Sequence, residues 1–297
     1  MYALDGKRIW IAGDRGMVGS ALMRRLASEQ CELLTIDRDR LDLRRQDQVE
    51  AYLQAERPDA IILAAARVGG ILANQQFPVD FLGDNLLIAT NVIASAHATG
   101  VNRLLFLGSS CVYPRDTEQP IEEGALLSGA LEPTNEFYAL AKIAGIKLVE
   151  AYRRQYGRDY IAAMPANLYG PGDNFDPVSG HVLPALIQKA HDAKLRGEKT
   201  LTIWGSGTPR REFLHVDDCA DALVLPPMPV ACSAPSTMAR APPFVCQSPT
   251  PSEKSPLAIS SVAFSARCGP ISSSPPGALV PPIAVRNAAN PGRLLPA

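Results

Sequence analysis

Lys7-Arg8-Ile9-Trp10-Ile11-Ala12-Gly13-Asp14-Arg15-Gly16-Met17-Val18-Gly19 joins an apolar run to a turn carrying three glycines. Residues 7–12 read as a short buried strand after a polar start. Residues 20–28 follow with helical spacing of the apolar positions Ala21, Leu22, Leu26 and Ala27. Strand, glycine turn and helix, in that order, are what a dinucleotide-binding turn requires. Gly13 permits the tight turn, Gly16 lets the backbone approach a pyrophosphate, and Gly19 lets helix and strand pack closely. Phosphates then sit at the helix N-terminus, where unpaired N–H groups and the dipole favour anions. The spacing G-x-x-G-x-x-G is a variant of the commoner G-x-G-x-x-G.

A second strand, 31–36, runs into Asp37-Arg38-Asp39-Arg40. An acid there suits a ribose 2′-hydroxyl, whereas an arginine suits a 2′-phosphate. Arg38 and Arg40, with Arg15 from the glycine turn, make a cationic cup that favours NADPH over NADH. Downstream, 60–65, 104–107 and 160–164 read as strands. Residues 85–99 and 137–156 read as helices, the first with Leu86, Leu87, Val92 and Ile93 near one face. Alternation of this kind predicts an α/β fold, a doubly wound parallel sheet of the Rossmann type with right-handed crossovers. The glycine turn, residues 66–70, Ser109-Ser110-Cys111 and Pro165-Ala166-Asn167 all follow strands, so they are expected on one rim of the sheet.

Tyr138 and Lys142 stand four apart in Tyr138-Ala139-Leu140-Ala141-Lys142 and share a helix face. A nearby ammonium is expected to pull a tyrosine below its ordinary value of about 10 and ready it for proton transfer. Ser109 is placed to hydrogen-bond a substrate oxygen. Cys111 and His181 are residue types tunable for moving protons. Bland alternatives stand beside these readings. Cys111 suits a small buried position, and Ser109 suits a turn cap. His215 and Cys219 read as structural.

Composition limits the partners. A formal net charge of −1 implies neither nucleic acid nor a membrane surface, and no apolar run approaches membrane-spanning length. The first strand begins almost at once, which leaves no room for a signal peptide. Six cysteines without C-x-x-C spacing argue against a metal site or a disulfide framework, and point to a reducing cytoplasm.

These features resemble the extended short-chain dehydrogenase/reductase family from about residue 6 to Val224. The motifs are Gly13 to Gly19, Val68-Gly69-Gly70-Ile71, Leu107 to Pro114, Tyr138 with Lys142, Pro165-Ala166-Asn167-Leu168-Tyr169-Gly170-Pro171, His181-Val182 with Pro184, and Trp204-Gly205-Ser206-Gly207 through Arg211-Glu212-Phe213. A cysteine two places after the serine, with His181, resembles the branch that epimerises and reduces a GDP-linked 4-keto-6-deoxy sugar. The resemblance implies NADP(H) held by Gly13, Arg15, Gly16, Met17, Val18, Gly19, Arg38, Lys142, Asn167 and Leu168. It implies catalysis by Ser109, Cys111, Tyr138, Lys142 and His181, with base and acid unassigned between Cys111 and His181. Lys189, Trp204 and Arg211 are the candidates for the GDP-sugar, Asn167 being a further possibility, and a homodimer is expected. A 4-epimerase or 4,6-dehydratase of the same fold is an alternative, although a dehydratase should carry a carboxylate where Cys111 stands. An inert dinucleotide-binding module is another.

The composition changes after Val224. Residues 225–297 contain 16 of the 26 prolines and one acid, Glu253. Pro-Pro pairs recur and no apolar period is long enough to define an element. Two domains follow: 1–224, the NADP-binding sheet with part of the substrate region, and 225–297, a low-complexity tail expected to be disordered. An abrupt change inside a helix reads as a shift of reading frame, and a natural Pro/Ser-rich extension is the alternative. Either leaves the substrate domain incomplete.

Overall fold

The computed structural model describes residues 3–176, 179–203, 211–224 and 284–287. Two compact units are present: Met1–Ala185 with Arg211–Ala239, and Leu186–Arg210 with Arg240–Ala297.

The first unit is built on five parallel strands. In chain order its elements begin β1 (Arg8–Ala12), α1 (Met17–Leu26), β2 (Glu32–Leu34), α2 (Gln46–Glu56), β3 (Ala60–Leu63), α3 (Ile71–Gln76) and α4 (Pro78–Ala98). Then come β4 (Arg103–Leu107), α5 (Glu136–Tyr156), β5 (Asp159–Ala163) and the short β6 (Asn167–Tyr169). The sheet order is β2-β1-β3-β4-β5, and β1 pairs with β3 through Ile9↔Ala60 to Ala12↔Leu63. Chain order therefore reverses between β1 and β3, and the crevice beyond their carboxyl ends is where such sheets bind ligands.

Both faces of the sheet are buried, and the alternation of side chains along each strand divides the core in two. Trp10, Ile61, Leu63, Leu104 and Phe106 pack with Val49 and Leu53 of α2, Val92 and Ile93 of α4, and Ile143, Ile146 and Val149 of α5. Ile9, Ile11, Ile62, Leu105 and Leu107 pack with Ala21, Leu22 and Leu26 of α1 and with Val216 and Ala220 further along the chain. The latter two belong to α7 (Val216–Val224), which follows β8 (Phe213–His215); β8 pairs in parallel with β6.

Expected boundaries shift in several places. Helix α1 starts at Met17 rather than 20, directly in the glycine turn, and ends before Ala27, which is exposed. Strand β2 stops at Leu34, short of residue 36. Helix α4 begins at Pro78, where proline's missing N–H and fixed φ suit a first helical position. Leu87 on α4 is 47% exposed, and the buried stripe runs instead through Phe81, Asn85, Ala89, Val92, Ile93 and Ala96.

The second unit contains most of α6 (Val182–Leu195), and β7 (Thr200–Ile203) paired in parallel with β9 (Ala284–Asn287). The latter strand lies within the stretch where no element was expected, because four residues are too few to establish a period. The rest of 225–297 lies outside the described residues.

Helix α5 lies close on β4 because Gly145 faces the Phe106 ring. A Cβ at Gly145 would sit 2.4 Å from Phe106 Cζ. Gly145→Val is expected to lower stability by about 1–3 kcal/mol through overpacking, read as a fall in the urea midpoint. An unchanged midpoint would show that α5 does not need this approach.

Candidate active site

The glycine turn forms as the spacing requires. Gly13 has φ +95°, and a Cβ there would lie 2.6 Å from Ala65 N. A Cβ at Gly19 would meet Gly13 O at 2.0 Å, so α1 can approach the strand end only without a side chain. Gly16 differs: its nearest atom to an added Cβ would be Gly13 O at 3.4 Å. Internal packing therefore does not demand glycine at 16, and the turn is open there beside the N-terminus of α1.

A cavity of about 570 Å³ starts at this turn. It is lined by Gly13 to Gly19, Arg38, the segment Ala64 to Gly69, Leu107 to Ser110, Tyr138, Lys142, Pro165 to Leu168 and His181. The segments expected on one rim do converge. Arg40 is not a lining residue, whereas Arg44 is. Arg15 pairs with Asp37 at 3.1 Å, and Arg44 is held by Asp42 and Asp84. Arg38 has no hydrogen-bonded or ion-paired partner among the described residues, which leaves its guanidinium for an anion.

Lys142 is buried. Its Nζ donates to the Leu107 carbonyl at 2.6 Å and lies 4.8 Å from the Phe106 ring centroid and 5.8 Å from that of Tyr138. Burial lowers it to about 8, partly opposed by the Cys111 side chain. Tyr138 corrects the expectation of a depressed value. Burial, reinforced by Cys111, raises it above its ordinary range. The lysine and the phenol do share a face, but desolvation, not the ammonium, sets the direction of the shift. A phenol tuned this way is protonated across the neutral range and suited to donate.

Ser109 precedes a single 3-10 turn, Ser110–Val112, that places Cys111 beside it. Burial raises the Cys111 thiol, while the Ser109 hydrogen bond and the Lys142 charge oppose that shift. Cys111 is not itself a lining residue; it joins the site through Ser109, Tyr138 and Lys142. His181 is exposed at the cavity, and its carbonyl accepts from Ala185 N at 3.0 Å in the first turn of α6.

Asn167 lines the cavity, and its Nδ2 donates to the Glu212 carbonyl at 3.0 Å. Leu168 also lines it. Lys189 lies on α6 in the second unit, Arg211 precedes β8, and Trp204 lies outside the described residues. His215 packs edge-on to Tyr169 and accepts from Asp217 N, and Cys219 is buried; both are structural. Asn85 was missed. From a buried position on α4 its Oδ1 accepts from Arg67 N at 2.8 Å, and its Nδ2 donates to the Arg67 carbonyl at 3.0 Å. The available signal was a polar residue on the buried stripe of an apolar helix. Among the described residues, no cluster of His, Cys, Asp and Glu could hold a metal, and no helix is long and apolar enough to cross a membrane.

A reversing parallel sheet, a phosphate-binding turn and a Ser109–Tyr138–Lys142 set beside it define a dinucleotide-dependent enzyme of the extended short-chain dehydrogenase/reductase class. The NAD dependent epimerase/dehydratase family model matches residues 9–226, and the chain belongs to that family. It is 62% identical over 224 residues to the GDP-L-fucose synthase of Sinorhizobium fredii, covering 75% of this chain and 71% of that one. With the GDP-L-fucose synthase of Escherichia coli the identity is 54% over 222 residues, 74% and 69% of the two chains. Among solved structures, a GDP-L-fucose synthetase from Naegleria fowleri bound to NADP aligns with a TM-score of 0.67 at 32% identity, covering 75% of this chain and 68% of that one.

The lowered value of Lys142 has a stability consequence. The unfolded lysine titrates near 10.5 and the folded one near 8. Between those values the unfolded chain holds more protons, so the wild type gains stability with rising pH. Lys142→Met lacks this term. Urea midpoints at pH about 7.5 and about 10 should therefore drift in favour of the wild type; the opposite drift would place the lysine above its ordinary value.

Proposed function

We propose that this chain epimerises C3 and C5 of GDP-4-keto-6-deoxy-D-mannose and reduces C4 with NADPH, giving GDP-L-fucose. The observation that carries the reading is the gathering of Ser109, Tyr138, Lys142 and His181 on the cavity that starts at the glycine turn, with Cys111 in contact. Support also comes from the relatives at 62% and 54% identity, both GDP-L-fucose synthases.

The residues present fit NADP(H). Gly16 has room for a phosphate, the N-terminus of α1 faces that turn, and Arg38 with Arg15 provides the positive charge for a 2′-phosphate. When bound, the cofactor supplies hydride. Tyr138, held protonated by burial, gives the C4 oxygen its proton. Ser109 hydrogen-bonds that oxygen. Lys142 orders the site through the Leu107 carbonyl and binds the cofactor.

The ketone acidifies the C–H bonds at C3 and C5, and inversion there needs a base on one side and an acid on the other. Cys111 and His181 are the residues we assign to that exchange. Burial raises the Cys111 thiol, which makes it a stronger base once ionised and a weaker proton donor when neutral.

Homodimerisation is part of the same reading. Val79 and Leu87 on α4, and Phe137 and Leu140 on α5, are large apolar side chains left exposed on two helices that pack together. A reducing cytoplasm belongs to the same reading. The family match ends at 226, beside the change in composition. We take 225–297 as foreign to the substrate domain and expect turnover to be low.

In D2O with NADPH and GDP-4-keto-6-deoxymannose, and with enzyme in excess, deuterium should enter C3 and C5. Cys111→Ser and His181→Asn should each cut that uptake by about a hundredfold or more; full uptake in either variant would remove that residue from the exchange. Net GDP-L-fucose formation at the rate of a full-length relative would overturn the view of the tail. Lys142 loses its charge as pH rises through about 8. NADPH affinity should then fall by about tenfold, the worth of one charge-assisted hydrogen bond. Fluorescence titration checks this, and a flat profile matching that of Lys142→Met would contradict it.

A further inference from the structure

One buried amide outside the proposed catalytic set touches the site through a single peptide. Asn74 on α3 is 6% exposed. Its Nδ2 donates to the Gly69 carbonyl at 2.9 Å and to the Gly70 carbonyl at 3.1 Å. The Gly69 carbonyl and the Gly70 N–H belong to the same planar peptide unit. That N–H donates to the Ser179 carbonyl at 2.8 Å. The unit is therefore held at its oxygen by Asn74 and holds, by its nitrogen, the residue two before His181.

The approach is close enough to require glycine. A Cβ at Gly70 would lie 2.6 Å from the Gly180 oxygen. Ser179 is itself held by Asp176 and Asn174. Asp176 Oδ1 accepts from Ser179 N and Oγ at 2.7 and 2.8 Å, and Asn174 Nδ2 donates to Ser179 Oγ at 3.0 Å. Gly180 N also donates to the Asp176 carbonyl at 2.8 Å, so the two residues before His181 are both held, and His181 stands at the cavity where α6 begins.

The chemistry of Asn74 argues for a purpose other than stability. Its Oδ1 is buried and has no hydrogen-bond partner. A leucine of similar volume would avoid that orphaned acceptor. What leucine cannot supply is a donor aimed at the Gly69 oxygen. We infer that Asn74 is a positioning residue for His181, acting through the Gly69–Gly70 peptide. The inference rests on the reading of His181 as a proton-exchanging group.

The test uses the full chain labelled with 13C in its histidine rings. Only His97, His181, His191 and His215 contribute, and His181→Asn assigns the relevant signal. In Asn74→Leu the Gly70 amide should exchange roughly tenfold faster. The His181 signal should shift or broaden, while the other three hold. Gly70→Ala, which leaves Asn74 in place but pushes on Gly180, should disturb His181 in the same way. A folded Asn74→Leu chain with His181 unchanged overturns the inference. If neither variant folds, hydrogen exchange of the wild type decides: the amides of Gly70, Gly180 and Ala185 should open together, and independent opening overturns the inference. None of these readouts needs substrate. Untouched deuterium uptake in His181→Asn would instead fault the catalytic role and leave the positioning intact.

Discussion

A buried ammonium bonded to the last carbonyl of a central strand holds this site together. Lys142 Nζ reaches Leu107 O at 2.6 Å, at the point where β4 ends and the Ser109 segment begins. The bond sets the height of α5 on the sheet, and Tyr138, one turn earlier, is carried to the same rim. Gly145, one turn later, gives up its side chain so that the Phe106 ring can fit beneath the helix. An ammonium without water is costly, and Lys142 shows that cost as a value lowered to about 8. The carbonyl, the Phe106 ring and the neighbouring Cys111 offset part of it. Burial of this kind is common where a group must act rather than merely pack.

The same burial changes the chemistry assigned to Tyr138. A phenolate would be a base, but a phenol held protonated is an acid, and reduction of a ketone ends with an oxygen that needs a proton. The direction of the shift therefore agrees with the reductive half of the proposed reaction. Cys111 lies within the electrostatic reach of both Tyr138 and Lys142. Ionisation of Cys111 therefore bears on both, which would link the proposed proton exchange to the proposed reduction through charge.

Much of this was legible in the sequence where local sterics and short periods decide. The glycine turn could be read because Gly13 needs positive φ and Gly19 needs the absence of a Cβ, both strictly local demands. The pairing of Tyr138 with Lys142 could be read because i and i+4 share a helix face. The direction of their pKa shifts could not, since spacing gives adjacency and not depth. The first two turns of α4 were hidden because Pro78 reads as a break when it stands at a helix start. Helix α2 was hidden because it buries only Val49 and Leu53. Asn74 and Asn85 act on the backbone of residues 67–70, and a backbone's hydrogen-bonding needs are invisible until its path is known. After 224 only composition was available.

The central claim is that nicotinamide and the Tyr138 phenol share one end of a single cavity. Crystals of the chain grown with NADPH test it most directly. The account predicts pyrophosphate density at the N-terminus of α1 beside Gly16, and the nicotinamide ring in contact with Tyr138 and Ser109. Density that places the nicotinamide outside the cavity, or the pyrophosphate away from the glycine turn, would contradict it.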